Sequence, residues 1–244
     1  MMWTRRELKD RAKLVMKRSY WKMFLVTLLA VILIGLFDHQ DTGVNLTYEV
    51  SNTNIDFNMN GLLSMLPFHG IWAVTTLSFF VILGVIIGCC YSVFVGNAIE
   101  YGQTRFYLEN AQQDTPFVTL FSAFQNGYWN IVKILLIRDI KIFLWTLLFV
   151  IPGVIKSYEY QMIPYLLAED PTLSTEEVFA KSKAMTTGQK VDMFVLDLSF
   201  IGWMMLGTLL FGIGVYFVYP YRNATMAELY LALSDQRREQ DYFD

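Results

Sequence analysis

Histidine and cysteine are nearly absent from this chain of 244 residues, with two of each. His39 and His69 are far apart and neither belongs to an HExxH pattern, so a histidine-based metal or general-base centre is poorly supplied. Cys89 and Cys90 are neighbours, which excludes an ordinary disulfide between them and is too close for a four-ligand metal site; inside an apolar run they read as small packing residues. No GxSxG nucleophile turn occurs. No cofactor and no enzymatic activity are expected.

Charge is scarce as well. It makes up 17% of the chain, against about 25% in an ordinary soluble domain. A net charge of −3 excludes a basic nucleic-acid binder as a default, because no cationic surface is available to replace the counterions of phosphates. Lysine and arginine disappear altogether between Lys22 and Arg105.

What fills the chain is apolar. Hydrophobic residues make up 55% and aromatic ones 16% of it. Four long apolar runs span 20–37, 71–96, 131–151 and 191–211, and two weaker ones span 154–168 and 214–233. A helix needs about 20 residues to cross the hydrocarbon of a bilayer, so the long runs suffice and the other two are marginal. Of the 19 basic residues, eight lie in 1–22, four in 96–141, three in 169–190 and three in 221–244. Basic loops stay in the cytoplasm, which predicts cytoplasmic termini, an exterior loop over 38–70 and six crossings in a plasma membrane. The cytoplasmic segments are then 1–19, 97–130, 169–190 and a tail over 234–244, leaving Lys156 alone on the outer side.

Before the first, third and fifth spans a short amphipathic helix is predicted. Thr4 with Glu7 and Ser174 with Glu177 have the spacing of capping boxes; Thr115 and Pro116 suit the start of the middle helix. The apolar stripes are Leu8, Ala12 and Val15 in the first helix and Phe117, Leu120, Phe121 and Phe124 in the second. Each helix ends at a small residue, Ser19, Gly127 or Gly188. The second, fourth and sixth spans are followed by or end in "FYLEN", "PYLLAED" and "LYLALSD", which place Tyr107, Tyr165 and Tyr230 alike. The predicted architecture is therefore all-α: a polytopic membrane bundle of three hairpins, each led by an interfacial helix.

Charges inside the third span are the sequence's sharpest anomaly. Counting helical rise from predicted outer turns at Pro152–Gly153 and Gly212–Gly214 puts Arg138 about 21 Å deep and Asp197 and Glu228 each about 22 Å deep. An unpaired charge is costly at that depth, which predicts a polar site in which Arg138 faces Asp197 and Glu228 with Asp139 and Lys141 beside them. The alternative is that the span begins nearer residue 140, with Lys133 and Lys141 reaching back to the headgroups. Lys156 and Glu159 have the spacing of an ion pair on one helical face.

The stretches "IPGVIKSYEYQMIPYLLAEDPTLSTEEVFAKSKAMTTG", "DLSFIGW" and "GIGVYFVYPYRNATMAELY", with the N-terminal "RRELKDRAKLVMKRSYWKMF", resemble domain of unknown function family 975, polytopic membrane proteins common in Firmicutes. The resemblance implies an all-helical bacterial membrane protein and carries over no catalytic residue. The expected role is a non-enzymatic scaffold or accessory membrane subunit, whose partners are membrane lipids and a membrane protein. A transporter or lipid-handling protein with a polar intramembrane site is the second reading, and an intramembrane enzyme the third.

Overall fold

The computed structural model describes residues 3–35, 69–209 and 214–243. The predicted exterior loop lies almost wholly outside the described residues, as does the turn at Gly212. Among the described residues all regular structure is helical: α1 (Arg5–Gly35), α2 (His69–Tyr91), α3 (Asn97–Gln112), α4 (Tyr128–Leu148), α5 (Val150–Tyr160), α6 (Ile163–Glu169), α7 (Thr175–Thr186), α8 (Lys190–Leu209) and α9 (Gly214–Phe243). A π-helical turn at Ser92–Gly96 joins α2 to α3, and a 3-10 helix covers Phe117–Phe124.

Ser19 breaks α1 into two segments, with φ −138° and ψ 30°. Gly127 and Gly188 have φ of 69° and 79°, the left-handed region where glycine is at ease, and they precede α4 and α8. A common register follows these breaks, shifted by one residue at the third, where it counts from Gln189. Met23, Val26 and Thr27 follow Ser19 at the same spacings as Ile131, Ile134 and Leu135 follow Gly127, and as Met193, Leu196 and Asp197 follow Gln189. All but Asp197 are buried. Counting backwards, Ala12, Leu120 and Ser182 are equivalent, as are Val15, Ala123 and Met185; all but Val15 are buried. Tyr107, Tyr165 and Tyr230 are likewise buried, the last two stacked with centroids 5.3 Å apart. The same burial pattern thus recurs three times along the chain.

The amphipathic leaders bury their apolar faces against the bundle. Leu8 and Ala12 of α1, and Val178, Phe179 and Met185 of α7, are buried. The middle leader departs from expectation: Phe117, Phe121 and Phe124 are exposed, while Leu120 and Ala123 are buried. It is a 3-10 helix with three residues per turn, so Leu120 and Ala123 share its inward face. Gly102 of α3 sits directly on it; a Cβ there would lie 1.8 Å from the Leu120 carbonyl oxygen.

The turn between α4 and α5 falls at Phe149, which is extended at φ −157° and ψ 142°, rather than at Pro152–Gly153. Pro152 occupies the first turn of α5, where its missing N–H is no loss. Gly153 packs against Thr146, whose Oγ1 would lie 2.3 Å from an added Cβ. Gly207 and Gly214 meet equally closely, backbone to backbone, between α8 and α9.

Among the described residues, two helical stretches are long and apolar enough to cross a bilayer, Ser78–Gln112 and Lys190–Leu209. The predicted fourth span is interrupted between α5 and α6 at Gln161–Met162, and α4 carries four charges, so neither is among these two. Cys89 and Cys90 are exposed, because α2 stands clear of the bundle with Phe79, Phe80, Val85 and Ile86 also exposed. They do not pack the interior.

Candidate functional site

The helix from His69 does not end near residue 96; it turns through the π-helical stretch and continues as α3 to Gln112. That continuation carries Glu100, Gln103, Thr104 and Tyr107 into the bundle, where they line a cavity of about 270 Å³. Arg138 and Asp139 of α4, Gln161 before α6, Tyr160 and Tyr165, and Arg222 and Asn223 of α9 complete the polar wall. Gln103, Gln161 and Met226 stand at the same spacing before Tyr107, Tyr165 and Tyr230. All three reach the cavity, so each repeat contributes the same position to it.

Arg138 is the centre of charge. Its two terminal nitrogens donate to the two oxygens of Glu100, Nη1 to Oε1 at 2.6 Å and Nη2 to Oε2 at 2.8 Å, the parallel fork that guanidinium and carboxylate form best. Nε also donates to Oδ1 of Asp139 at 2.8 Å. The arginine side chain is 11% exposed, whereas Glu100 and Asp139 are 35% and 42% exposed, so the acids form the mouth and the guanidinium the floor.

Arg138 therefore does not face Asp197 or Glu228. Asp197 of α8 accepts from Arg222 of α9, Nη2 to Oδ1 at 2.9 Å, and from the Tyr158 hydroxyl at 3.2 Å. Glu228 is buried on another face of α9, where Arg11 of α1 attracts it. Rotation about each helix axis, and not position along it, selects these partners. Lys141 also turns away, its Nζ lying 3.8 Å over the ring of Phe179 and fastening α7 to α4. Lys133 is exposed.

Lys156 and Glu159 form an ion pair at 2.8 Å, and Lys190 approaches the other Glu159 oxygen at 2.7 Å. Two lysines thus hold one buried carboxylate, and the Ser182 hydroxyl donates to the Glu159 carbonyl. The pair belongs to the seam of α5, α7 and α8 and not to the cavity.

Sequence reasoning missed Glu100, Arg222 and Lys190. Glu100 was assigned to a cytoplasmic segment because the apolar run fades near residue 96. One signal could have found it: if Tyr165 and Tyr230 mark helix interiors, Tyr107 does too, and Glu100 lies two helical turns before it. Arg222 falls within the predicted sixth span but enters the charge count only as one of the three basic residues of 221–244.

An all-helical bundle with an apolar core, one charged cavity and many exposed apolar side chains is the class these features define. Residues 117–237 match the family described as "Protein of unknown function (DUF975)", and through that segment the chain belongs to this family. The match runs from the 3-10 helix into α9 and includes Arg138, Asp197 and Arg222. No curated protein and no solved structure matches the chain.

Proposed function

We propose that this is a multi-pass integral membrane protein of a bacterial plasma membrane, with both termini in the cytoplasm, whose bundle holds a small polar ligand in the cavity at Arg138. One observation carries the proposal: helices that enclose a charged cavity at Arg138 leave large apolar side chains bare on their outer faces. Phe143, Leu147, Phe149, Val150 and Ile151 at the α4–α5 tip and Val191, Leu198, Trp203, Leu206 and Leu209 on α8 are all exposed, far more apolar surface than a protein in water leaves bare. Helix α4 has 21 residues, about 31 Å of rise, close to the thickness of a bilayer's hydrocarbon.

In such surroundings a guanidinium with two carboxylates is expensive unless it serves a purpose or is fully paired. Here the acids remain partly open to the cavity, which favours a ligand-binding, solute- or lipid-handling role over a purely structural one. A scaffold role finds support in α2, whose apolar surface is left uncovered by the other described residues and is available to lipid or to a membrane-protein partner.

The experiment is thiol accessibility in native membranes. With Cys89 and Cys90 replaced by Ala, a small hydrophilic maleimide is expected to label Gln103→Cys and to spare Leu147→Cys, while the chain resists extraction by alkaline carbonate. Release by carbonate, or equal labelling at both positions, overturns the reading.

A further inference from the structure

The cavity has a charge bias and a hydrogen-bonding bias, and both point to one kind of ligand. The network at Arg138 holds two carboxylates, Glu100 and Asp139, against one guanidinium, while Arg222 is paired separately with Asp197. Both contacts from Arg138 to Asp139 fall on Oδ1, so Arg138 leaves the second oxygen of Asp139 to other donors, and the Asn97 side chain also faces that carboxylate. Glu100, in contrast, gives both oxygens to Arg138. The network is one positive charge short.

The neutral wall leans the same way. Gln161 lines the cavity with its carboxamide oxygen buried and, among the described residues, without a hydrogen-bond partner, while its nitrogen reaches the sulfur of Met226 at 3.7 Å. An unpaired buried acceptor costs free energy until a donor arrives. Tyr107, Tyr160 and Tyr165 line the same cavity, and a cation is attracted to the face of a tyrosine ring. A ligand that brings positive charge and N–H donors satisfies all three demands; an anion satisfies none.

We propose that the cavity recognises a primary ammonium group, seated between Asp139, the Gln161 carboxamide oxygen and the tyrosines. The proposal rests on the cavity's being a ligand site at all, as argued above. The ammonium has two sources: a soluble amine or the headgroup of an aminophospholipid. A volume of about 270 Å³ falls just short of the usual range for drug-sized ligands, so it suits the polar end of a lipid and not the whole molecule.

The test is the thermal stability of the purified full-length protein, measured in detergent with ethanolamine, choline or phosphate, and in nanodiscs of phosphatidylcholine containing phosphatidylethanolamine or phosphatidylglycerol. Stabilisation by ethanolamine, or by phosphatidylethanolamine over phosphatidylglycerol, is expected; the first identifies a free amine and the second a lipid headgroup. Asp139→Asn and Gln161→Met should each weaken the concentration dependence about tenfold, the loss of one hydrogen bond to a charged group. Gln161→Met keeps the side chain's length and gives up no acceptor bond, so its folding is the safer of the two.

Equal stabilisation by choline and ethanolamine overturns the requirement for N–H donors. Stabilisation by phosphate or phosphatidylglycerol that Gln103→Leu abolishes overturns the ammonium assignment while leaving the cavity a ligand site. If no probe of either charge stabilises the protein and the maleimide does not reach Gln103→Cys, both proposals fall.

Discussion

Arg138 on α4 grips Glu100 on α3 through two parallel hydrogen bonds, across 38 positions of sequence. The pair fixes how α3 and α4 are rotated against each other and so shapes the cavity mouth. Arg138→Met leaves both Glu100 and Asp139 without their cation; because both acids are partly exposed and can take up water, the expected cost is about 2 kcal/mol. Glu100→Gln should cost less, since Asp139 still engages the arginine. A double-mutant cycle by thermal unfolding in detergent checks the coupling, and additive losses would show that the two residues do not stabilise each other.

Asp197 joins α8 to α9 through Arg222 and to α5 through Tyr158. Asp197→Asn keeps the shape and loses the charge. Both side chains of the pair are partly exposed, so the expected loss is modest, about 1.5 kcal/mol. Tyr158→Phe should lose less. A melting temperature unchanged by Asp197→Asn would show that the seam does not depend on the pair.

Glycines divide sharply by what surrounds them. An alanine methyl at Gly102 would meet the Leu120 carbonyl oxygen and carbon at 1.8 and 2.5 Å, both backbone atoms that have no rotamer to give. Gly102→Ala is expected to cost about 3 kcal/mol or more and to loosen the 3-10 helix. Nothing lies within 4 Å of an added methyl at Gly84 or Gly202. Alanine there should be neutral or slightly stabilising by helix propensity. Expression level and melting temperature of the three variants read the contrast directly; three equal outcomes would contradict the packing described.

The α7 capping box is realised as the sequence predicts. The Ser174 hydroxyl accepts from the Glu177 N–H, and the Glu177 carboxylate accepts from the Ser174 N–H and hydroxyl. Those bonds hold the Glu177 carboxyl below its ordinary value of 4.5, and Thr172 holds Asp170 below 3.8 in the same way. A carboxyl depressed on folding stabilises the folded state above its unfolded value and ceases to do so as pH falls through the folded one. Hydrogen exchange at the first turn of α7 should therefore stay slow at neutral pH and accelerate below about pH 4.5. Ser174→Ala should lose about 1 kcal/mol of helix stability and most of this pH dependence. Exchange independent of pH after correction for its chemical rate would contradict it.

The sequence alone determined that the chain is helical, because its apolar runs are too long and too weakly alternating for strands. It also located the helix starts, because Ser174, Gly127 and Gly188 act through bonds and dihedral angles within a few residues. The threefold order of leader, helix and tyrosine was legible for the same reason. The ion pair of Lys156 and Glu159 was equally local, since three residues on one helix must lie side by side.

Only the tertiary structure decided which charges meet. Depth follows from counting residues, but azimuth depends on the π-helical turn at Ser92–Gly96, the break at Phe149 and the contacts at Gly102, Gly153 and Gly207, each the sum of long-range packing. A rotation of one residue on α-helix is about 100°, enough to turn a side chain from one neighbour to another. That is why Arg138 closes on Glu100 and Asp197 on Arg222, pairings that no count of residues along a single helix could select.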